Sequence, residues 1–222
     1  MSAALAGLRI VVSAGPTFED IDPVRFLGNR SSGKMGFAVA DSARRRGAEV
    51  LLVAGPVHLP TPAGVTRVDV RSATQMREAV FAAFPADIYI GAAAVADYTP
   101  RAPAANKIKK SNESLALDLV RTPDILSEVA AQTQGLKLVV GFAAETAGTA
   151  EALLDLGRAK LARKGCDLLV LNDVSGGAVF GAADNTVTIL AGSGVVDSLA
   201  GDKNLVAHRI RDAVVNWRKH TP

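Results

Sequence analysis

Short apolar runs rich in β-branched residues alternate with amphipathic stretches along this chain. Residues 8–13 (LRIVVS) form the first such run and predict a buried strand. Residues 34–46 carry Met35, Val39 and Ala43 at four-residue spacing, with charge gathered at the C-terminal end, which predicts a helix that Gly47 stops. A strand over 49–54 follows, then a strand over 65–70, a helix over 73–84 and a buried strand over 87–90. The second half predicts a short strand over 115–120 and a helix over 123–131, with Pro123 in its first turn. Next come a strand over 138–142, a helix over 150–163 and a strand over 167–171. A strand over 185–190 with one wetter face and an amphipathic helix over 205–217 close the chain. Two segments fit neither period: a polar, Gly- and Pro-containing loop over 14–33, and the basic stretch 98–114.

Helices set between apolar strands predict an α/β architecture: a Rossmann-like, mostly parallel sheet with helices on both faces. No Pro/Gly/Ser linker or repeat divides the chain, so residues 1–222 read as a single domain. In open sheets of this kind ligands gather at the C-terminal ends of the strands. Here those ends are 13–17, 92–97, 141–146 and 172–174, all small, polar or acidic. Each alone reads as a tight turn; four together read as room left for one ligand.

Composition narrows the chemistry. With 222 residues and 49% hydrophobic side chains the chain can bury a core and is not a disordered tail. The single cysteine, Cys166, excludes a disulfide framework within the chain and a cysteine-rich metal site, and reads as a small buried hydrophobe. The histidines, His58, His208 and His220, are too scattered to suggest a metal cluster. The N-terminal stretch lacks a signal-peptide pattern, and no apolar run reaches the roughly 18–20 residues of a membrane span. A cytoplasmic protein with no membrane partner is expected.

Lys and Arg number 25 against 22 Asp and Glu, an excess of three. Between positions 101 and 121 five basic residues face two acidic ones, so this one segment carries the same excess. A small basic loop suits a polyphosphate or phosphorylated metabolite better than a nucleic-acid duplex, which needs a broad basic face. It can also be a merely solvated run of charge.

The sharpest local signal is NRSSGKMG at 29–36. Two serines and a glycine directly before a helix offer backbone N–H groups, hydroxyls and the positive helix end to an anion. An ordinary N-cap by Ser31 or Ser32 fits the same residues. The spacing is not that of a Walker A loop, and no G-x-G-x-x-G occupies the first turn, which counts against a nicotinamide oxidoreductase. Asp97 follows an alanine-rich strand end; it can hold Mg²⁺ together with nucleotide phosphates or cap a turn, and Glu145 has the same two readings.

Taken together these segments resemble the phosphopantothenoylcysteine synthetases, the C-terminal half of a bacterial bifunctional coenzyme A enzyme. The match runs through SAGPTFEDIDPVRFLGNRSSGKMG (13–36), VAGPVHLPTP (53–62), AAAVADY (92–98) and KIKK (107–110). It continues through TPDIL (122–126), VVGFAAET (139–146), RKGCDLLVLNDVS (163–175) and DNTVTIL (184–190). Pro16 stands where the family usually has a second glycine, which removes one backbone donor from the first turn.

The resemblance implies a ligase joining 4′-phosphopantothenate to L-cysteine. CTP drives the reaction through an acyl-cytidylate, with pyrophosphate and then CMP released. It implies that Asn29 contacts the acyl-cytidylate and is needed for its conversion. Ser31, Gly33 and Lys34 would lie at the phosphates, and Asp97 at the nucleotide and Mg²⁺. Lys107 would neutralise the triphosphate from a flap at about 99–114. Phe142, Ala143 and Ala144 would read the cytosine through their backbone, with Asp124 and Ile125 nearby. It further implies a homodimer in which each flap approaches the partner's site. A flavin-dependent decarboxylase is implied as a fused or associated partner, for which 222 residues leave no room.

Overall fold

The computed structural model describes residues 3–110, 114–132, 135–174 and 184–220; Ser175 and positions 111–113 of the expected flap lie outside them. Eight strands form one sheet. In chain order they are β1 (Arg9–Ala14), β4 (Glu49–Ala54), β5 (Thr66–Asp69), β6 (Ile88–Gly91), β9 (Leu138–Glu145), β10 (Leu168–Asp173), β11 (Asp184–Ala191) and β12 (Gly194–Asp202). Their spatial order is β12-β11-β10-β9-β6-β1-β4-β5.

The six strands from β5 to β10 are parallel, and β11 and β12 extend the sheet as an antiparallel hairpin. Counted among the parallel strands alone, the order is 3-2-1-4-5-6, the doubly wound arrangement whose direction reverses between β1 and β6. The Rossmann-like α/β expectation is therefore borne out.

Alternation along each strand sorts the core into two layers. On one face Ile10, Val12, Leu52, Ile90, Val140 and Val170 pack with Phe37, Val39 and Ala40 of α1 (Lys34–Arg44) and with Val206 and Ile210 of α5 (Lys203–His220). On the other, Val11, Val53, Tyr89, Val139 and Leu169 meet three helices. These are α2 (Ala73–Ala82) with Met76 and Val80, α3 (Ile125–Ala130) with Val129, and α4 (Ala150–Lys164) with Leu161. The helix α1 sits close against β1, because a Cβ at Gly36 would stand 2.5 Å from the Ala14 Cβ. Gly36→Ala is expected to destabilise the fold by about 1–3 kcal/mol, read as a lower urea midpoint. An unchanged midpoint would show that α1 can lift from β1 at no cost.

Three regions depart from the sequence reading. The loop over 14–33 contains a hairpin, β2 (Phe18–Asp22) with β3 (Arg25–Gly28), in which Phe18 stacks on Phe26 at 3.8 Å. Its pattern is disguised because two carboxylates point inward: Glu19 accepts from the Ala73 backbone N–H at the start of α2 (2.8 Å), and Asp22 closes the hairpin turn. The strand expected over 115–120 shrinks to β8 (Leu119–Arg121), which pairs with β7 (Tyr98–Pro100) rather than joining the main sheet. The edge strand β12 was not expected at all.

Candidate functional site

The loops at the ends of β1, β6, β9 and β10 converge on one cavity of about 810 Å³, at the point where strand order reverses. Ser13, the segment 92–97, Phe142, Ala143, Ala144, Asn172 and Val174 line it, and the loop 29–36 closes one side. A bridge from Pro16 to Ala94 and the bonds Ala94 N–H to Gly15 O (2.8 Å) and Thr17 N–H to Ala94 O (3.3 Å) tie the first strand end to the 92–96 segment. The buried Thr17 hydroxyl accepts from the Ala96 N–H at 3.0 Å, and Thr122 donates its hydroxyl proton to the Ala96 carbonyl at 2.5 Å. Two separate stretches of chain, 15–17 and Thr122, thus hold the Asp97 corner in place.

Neither Ser31 nor Ser32 caps α1. Gly33 occupies the N-cap with φ +73°, no side chain caps it, and the first-turn residues Lys34, Met35 and Gly36 line the cavity. A Cβ at Gly33 would come 3.1 Å from Val57 Cγ1 and 3.4 Å from Gly15 Cα, on top of the strain of positive φ. The capping alternative for this loop is set aside; Ser31 Oγ accepts instead from the Gly33 N–H at 3.4 Å, within the loop itself. Asn29 turns its amide nitrogen onto the carbonyls of Ala94 (3.3 Å) and Val95 (3.0 Å). With both N–H bonds engaged, the group it offers a ligand is the acceptor Oδ1.

Among the described residues seven basic side chains line the cavity (Arg30, Lys34, Arg121, Lys160, Arg163, Lys164, Lys203) against two acidic ones, Asp97 and Asp124. This is a larger basic concentration than the 101–121 segment, and most of it was missed in the sequence. Lys160 and Lys164 lie one turn apart near the end of α4, where basic residues read as ordinary partners of the helix dipole. Lys160 donates to Glu145 (2.7 Å), so Glu145 is an ion-pair partner, which neither of its two readings anticipated. Lys164 donates to Asp124 (2.6 Å), and Asp124 also caps α3 by accepting from the Ser127 N–H (3.2 Å).

Burial works against the charge on Asp124, but the hydrogen bonds from Lys164 and Ser127 outweigh it and hold the carboxyl below its ordinary value. A depressed carboxylate contributes stability that is present above the unfolded value, about 3.9, and is lost as pH falls through the folded one. Acid titration of Asp124→Asn should therefore show a shallower fall in stability below about pH 4 than the parent chain. Equal slopes would mean the pair contributes nothing.

On the cavity floor Ser13 Oγ and Tyr89 Oη lie 3.0 Å apart. Burial pushes the Tyr89 phenol up to about 12, so it stays protonated at neutral pH. Burial also pushes the Cys166 thiol up to about 11, in keeping with a packing role. Ile125 is buried at the cavity wall, and Phe142 packs half-buried on the α1/α5 core. Asp97 stands exposed at the rim.

Lys107 is not brought to this cavity. It lies exposed in a segment docked on the β2–β3 hairpin, with Arg25 Nη2 donating to the Ile108 carbonyl at 2.6 Å. Among the described residues no three His, Cys, Asp or Glu side chains converge on a metal-sized site.

The fold and site define a doubly wound α/β protein with a net basic cavity at its switch point. The chain belongs to the DNA/pantothenate metabolism flavoprotein C-terminal domain family, whose model matches residues 5–217. The resemblance to the phosphopantothenoylcysteine synthetases is thereby borne out at the level of family. The chain is 49% identical over 189 residues to the coenzyme A biosynthesis bifunctional protein CoaBC of Vibrio cholerae, covering 83% of this chain and 46% of that protein. Against the Mycobacterium tuberculosis protein of the same name it is 47% identical over 222 residues, covering 96% and 53%. A crystal structure of the C-terminal domain of such a CoaBC protein superposes with a TM-score of 0.80 at 37% identity, over 98% of this chain and 99% of that one. The chain thus spans about half the length of the curated relatives it matches.

Proposed function

We propose that this chain is a phosphopantothenate–cysteine ligase. The observation that carries the reading is the cavity's charge, seven basic side chains to two acidic, open to the uncapped N-terminus of α1. Membership in a family with coenzyme A biosynthesis relatives supplies the substrates.

In this reading the carboxylate of 4′-phosphopantothenate attacks the α-phosphorus of CTP and the bond to the β-phosphate breaks. Pyrophosphate leaves and an acyl-cytidylate remains. The amine of L-cysteine then attacks the acyl carbon, loses a proton, and CMP departs with the electron pair of the acyl–oxygen bond. The protein forms no covalent bond; positioning and charge neutralisation supply the acceleration.

Ser31, Gly33 and Lys34 hold phosphate oxygens at the start of α1, where backbone N–H groups and the helix end favour negative charge. Phe142, Ala143 and Ala144 read the cytosine, flanked by Asp124 and Ile125, and Lys160 and Lys164 join them as cationic partners of the nucleotide. The Asn29 Oδ1 accepts a hydrogen bond from the incoming amine. A Mg²⁺ ion fits as a companion of the nucleotide rather than a resident of the protein. Among the described cavity residues Asp97 is the carboxylate available while Asp124 is engaged by Lys164, and Mg²⁺ commonly takes one or two carboxylates plus phosphates and water. When bound, the ion neutralises phosphate charge.

The working unit in this proposal is a cytoplasmic homodimer of single-domain chains. Each lays its flap, at about 99–114, over the cavity of the other, so that Lys107 meets the triphosphate there. Two observations support this: Lys107 stands away from its own cavity, and Val24, Phe26, Tyr98 and Leu119 leave apolar surface exposed on the hairpin and the β7–β8 pair. A flavin-dependent decarboxylase is the expected companion activity. Among the described residues no helix is long and apolar enough to cross a membrane.

The test supplies CTP, Mg²⁺ and 4′-phosphopantothenate with and without cysteine. Pyrophosphate should appear in both mixtures and free CMP should follow cysteine. Binding of CTP without pyrophosphate or CMP under any pairing would leave a nucleotide-binding module and remove the ligase.

A further inference from the structure

The basic segment 101–110 has neither helix nor strand of its own, yet at Ile108 two side chains from far back in the chain hold it. Asp22, at the end of β2, has a side chain with no exposed surface. Its Oδ1 accepts from the backbone N–H groups of Val24 and Arg25, both at 2.9 Å, and this alone closes the hairpin turn. Its Oδ2 does something the turn does not need: it accepts from the Ile108 N–H at 3.1 Å, with Arg25 Nε at 3.2 Å beside it. Arg25 Nη2 in turn donates to the Ile108 carbonyl at 2.6 Å.

Both backbone polar groups of Ile108 are thus satisfied by one carboxylate–guanidinium pair. A further bond, from the Ala104 N–H to the Ile21 carbonyl at 2.9 Å, continues the docking along β2. The residues on either side of Ile108 are Lys107 and Lys109, both exposed. A lysine side chain is long and mobile, so where it can place its charge depends on how firmly its backbone is anchored. Here the anchor is Ile108.

We infer that Asp22 is a positioning residue for nucleotide activation: with Arg25 it latches Ile108 to the hairpin and so sets where Lys107 presents its charge. The inference rests on the ligase reading, in which Lys107 acts on the triphosphate. Ordering the segment before the nucleotide arrives removes part of the entropic cost of assembling the site. The turn and the latch use different oxygens of one buried carboxylate, so hairpin and flap are registered together.

The decisive experiment is a cycle of Asp22→Asn and Lys107→Gln, read by pyrophosphate release. Asp22→Asn keeps the shape and an acceptor for the turn but sets an amide donor against the Ile108 N–H. Alone it should lower kcat about tenfold, with KM for 4′-phosphopantothenate within about twofold of the parent, as expected when an interaction outside that substrate's contacts is lost. In the Lys107→Gln background it should change kcat by less than about threefold, because residues acting as a unit are not additive. Native trypsin should cut after Lys107, Lys109 and Lys110 about tenfold faster in Asp22→Asn, since opening now precedes cleavage more often.

The same loss of kcat in both backgrounds would show that Asp22 acts through the fold at large, and wild-type kcat with wild-type cleavage would remove the latch outright. Should Asp22→Asn fail to fold, Arg25→Lys loses the fork to Ile108 while keeping the charge beside Asp22, and the same comparisons apply. If the parent chain forms no pyrophosphate under any condition, the ligase reading fails and the trypsin rates decide the latch by themselves.

Discussion

Asn29→Asp is expected to stop the reaction midway, with acyl-cytidylate accumulating and CMP release falling about 10²–10³-fold, the loss typical of one well-placed polar group at a reacting centre. The expectation follows from what the amide does in the structure. Its nitrogen binds the carbonyls of Ala94 and Val95, and only an N–H donor can do that. A carboxylate in its place would set negative charge against two carbonyl oxygens and against the phosphate of the intermediate. It would turn away, and the acceptor aimed at the amine would be lost. Pyrophosphate release should be affected far less, because in the ligase reading the carboxylate's attack on phosphorus does not use this group. Chromatography of quenched mixtures with cysteine present checks the result; CMP release at the parental rate would end the assignment of Asn29.

The second large effect is expected at Lys164. Lys164→Met should raise KM for CTP about 10–100-fold, the range for losing one charge-assisted hydrogen bond worth about 1.5–3 kcal/mol. A structural explanation competes, since the substitution also leaves Asp124 without its ion partner. The pair Lys164→Met with Asp124→Asn separates them. If Lys164 meets the nucleotide, neutralising Asp124 will not restore KM; if its work is to balance Asp124, KM returns close to the parental value. Steady-state pyrophosphate release over a range of CTP concentrations reads both variants.

Much of the architecture was legible because the core strands are short and almost wholly apolar. The parallel order needs buried strands, and runs such as residues 9–12 and 168–171 can be little else. The hairpin at Phe18–Gly28 was hidden for a physical reason: Glu19 and Asp22 point inward and are satisfied there, so polarity no longer marks the outside. Strand β12 carried a signal that went unread, a Gly-Ser turn between two β-branched runs that returns the chain antiparallel to β11.

For the site, the loops at strand ends were legible because topology alone puts them on one edge. Lys160, Arg163 and Lys164 were not, since only the packing of α4 over β9 swings that helix face into the cavity. Lys107 illustrates the opposite limit. Its charge is plain in the sequence, but the direction in which it is presented depends on Asp22 and Arg25, more than 80 positions away.

The crossover from β1 to α1 runs through residues 15–33 and carries a whole hairpin, where dinucleotide-binding proteins of the same strand order have a tight glycine turn. That difference matters for inhibitor design. A compound seated on the Asn29–Gly33 corner would touch a surface built from the inserted hairpin's exit, the segment 92–97 and the first turn of α1 together. Nicotinamide enzymes with a compact glycine first turn have no such corner to offer. Selectivity against them would come from the shape of the backbone, which resistance substitutions in side chains alter least.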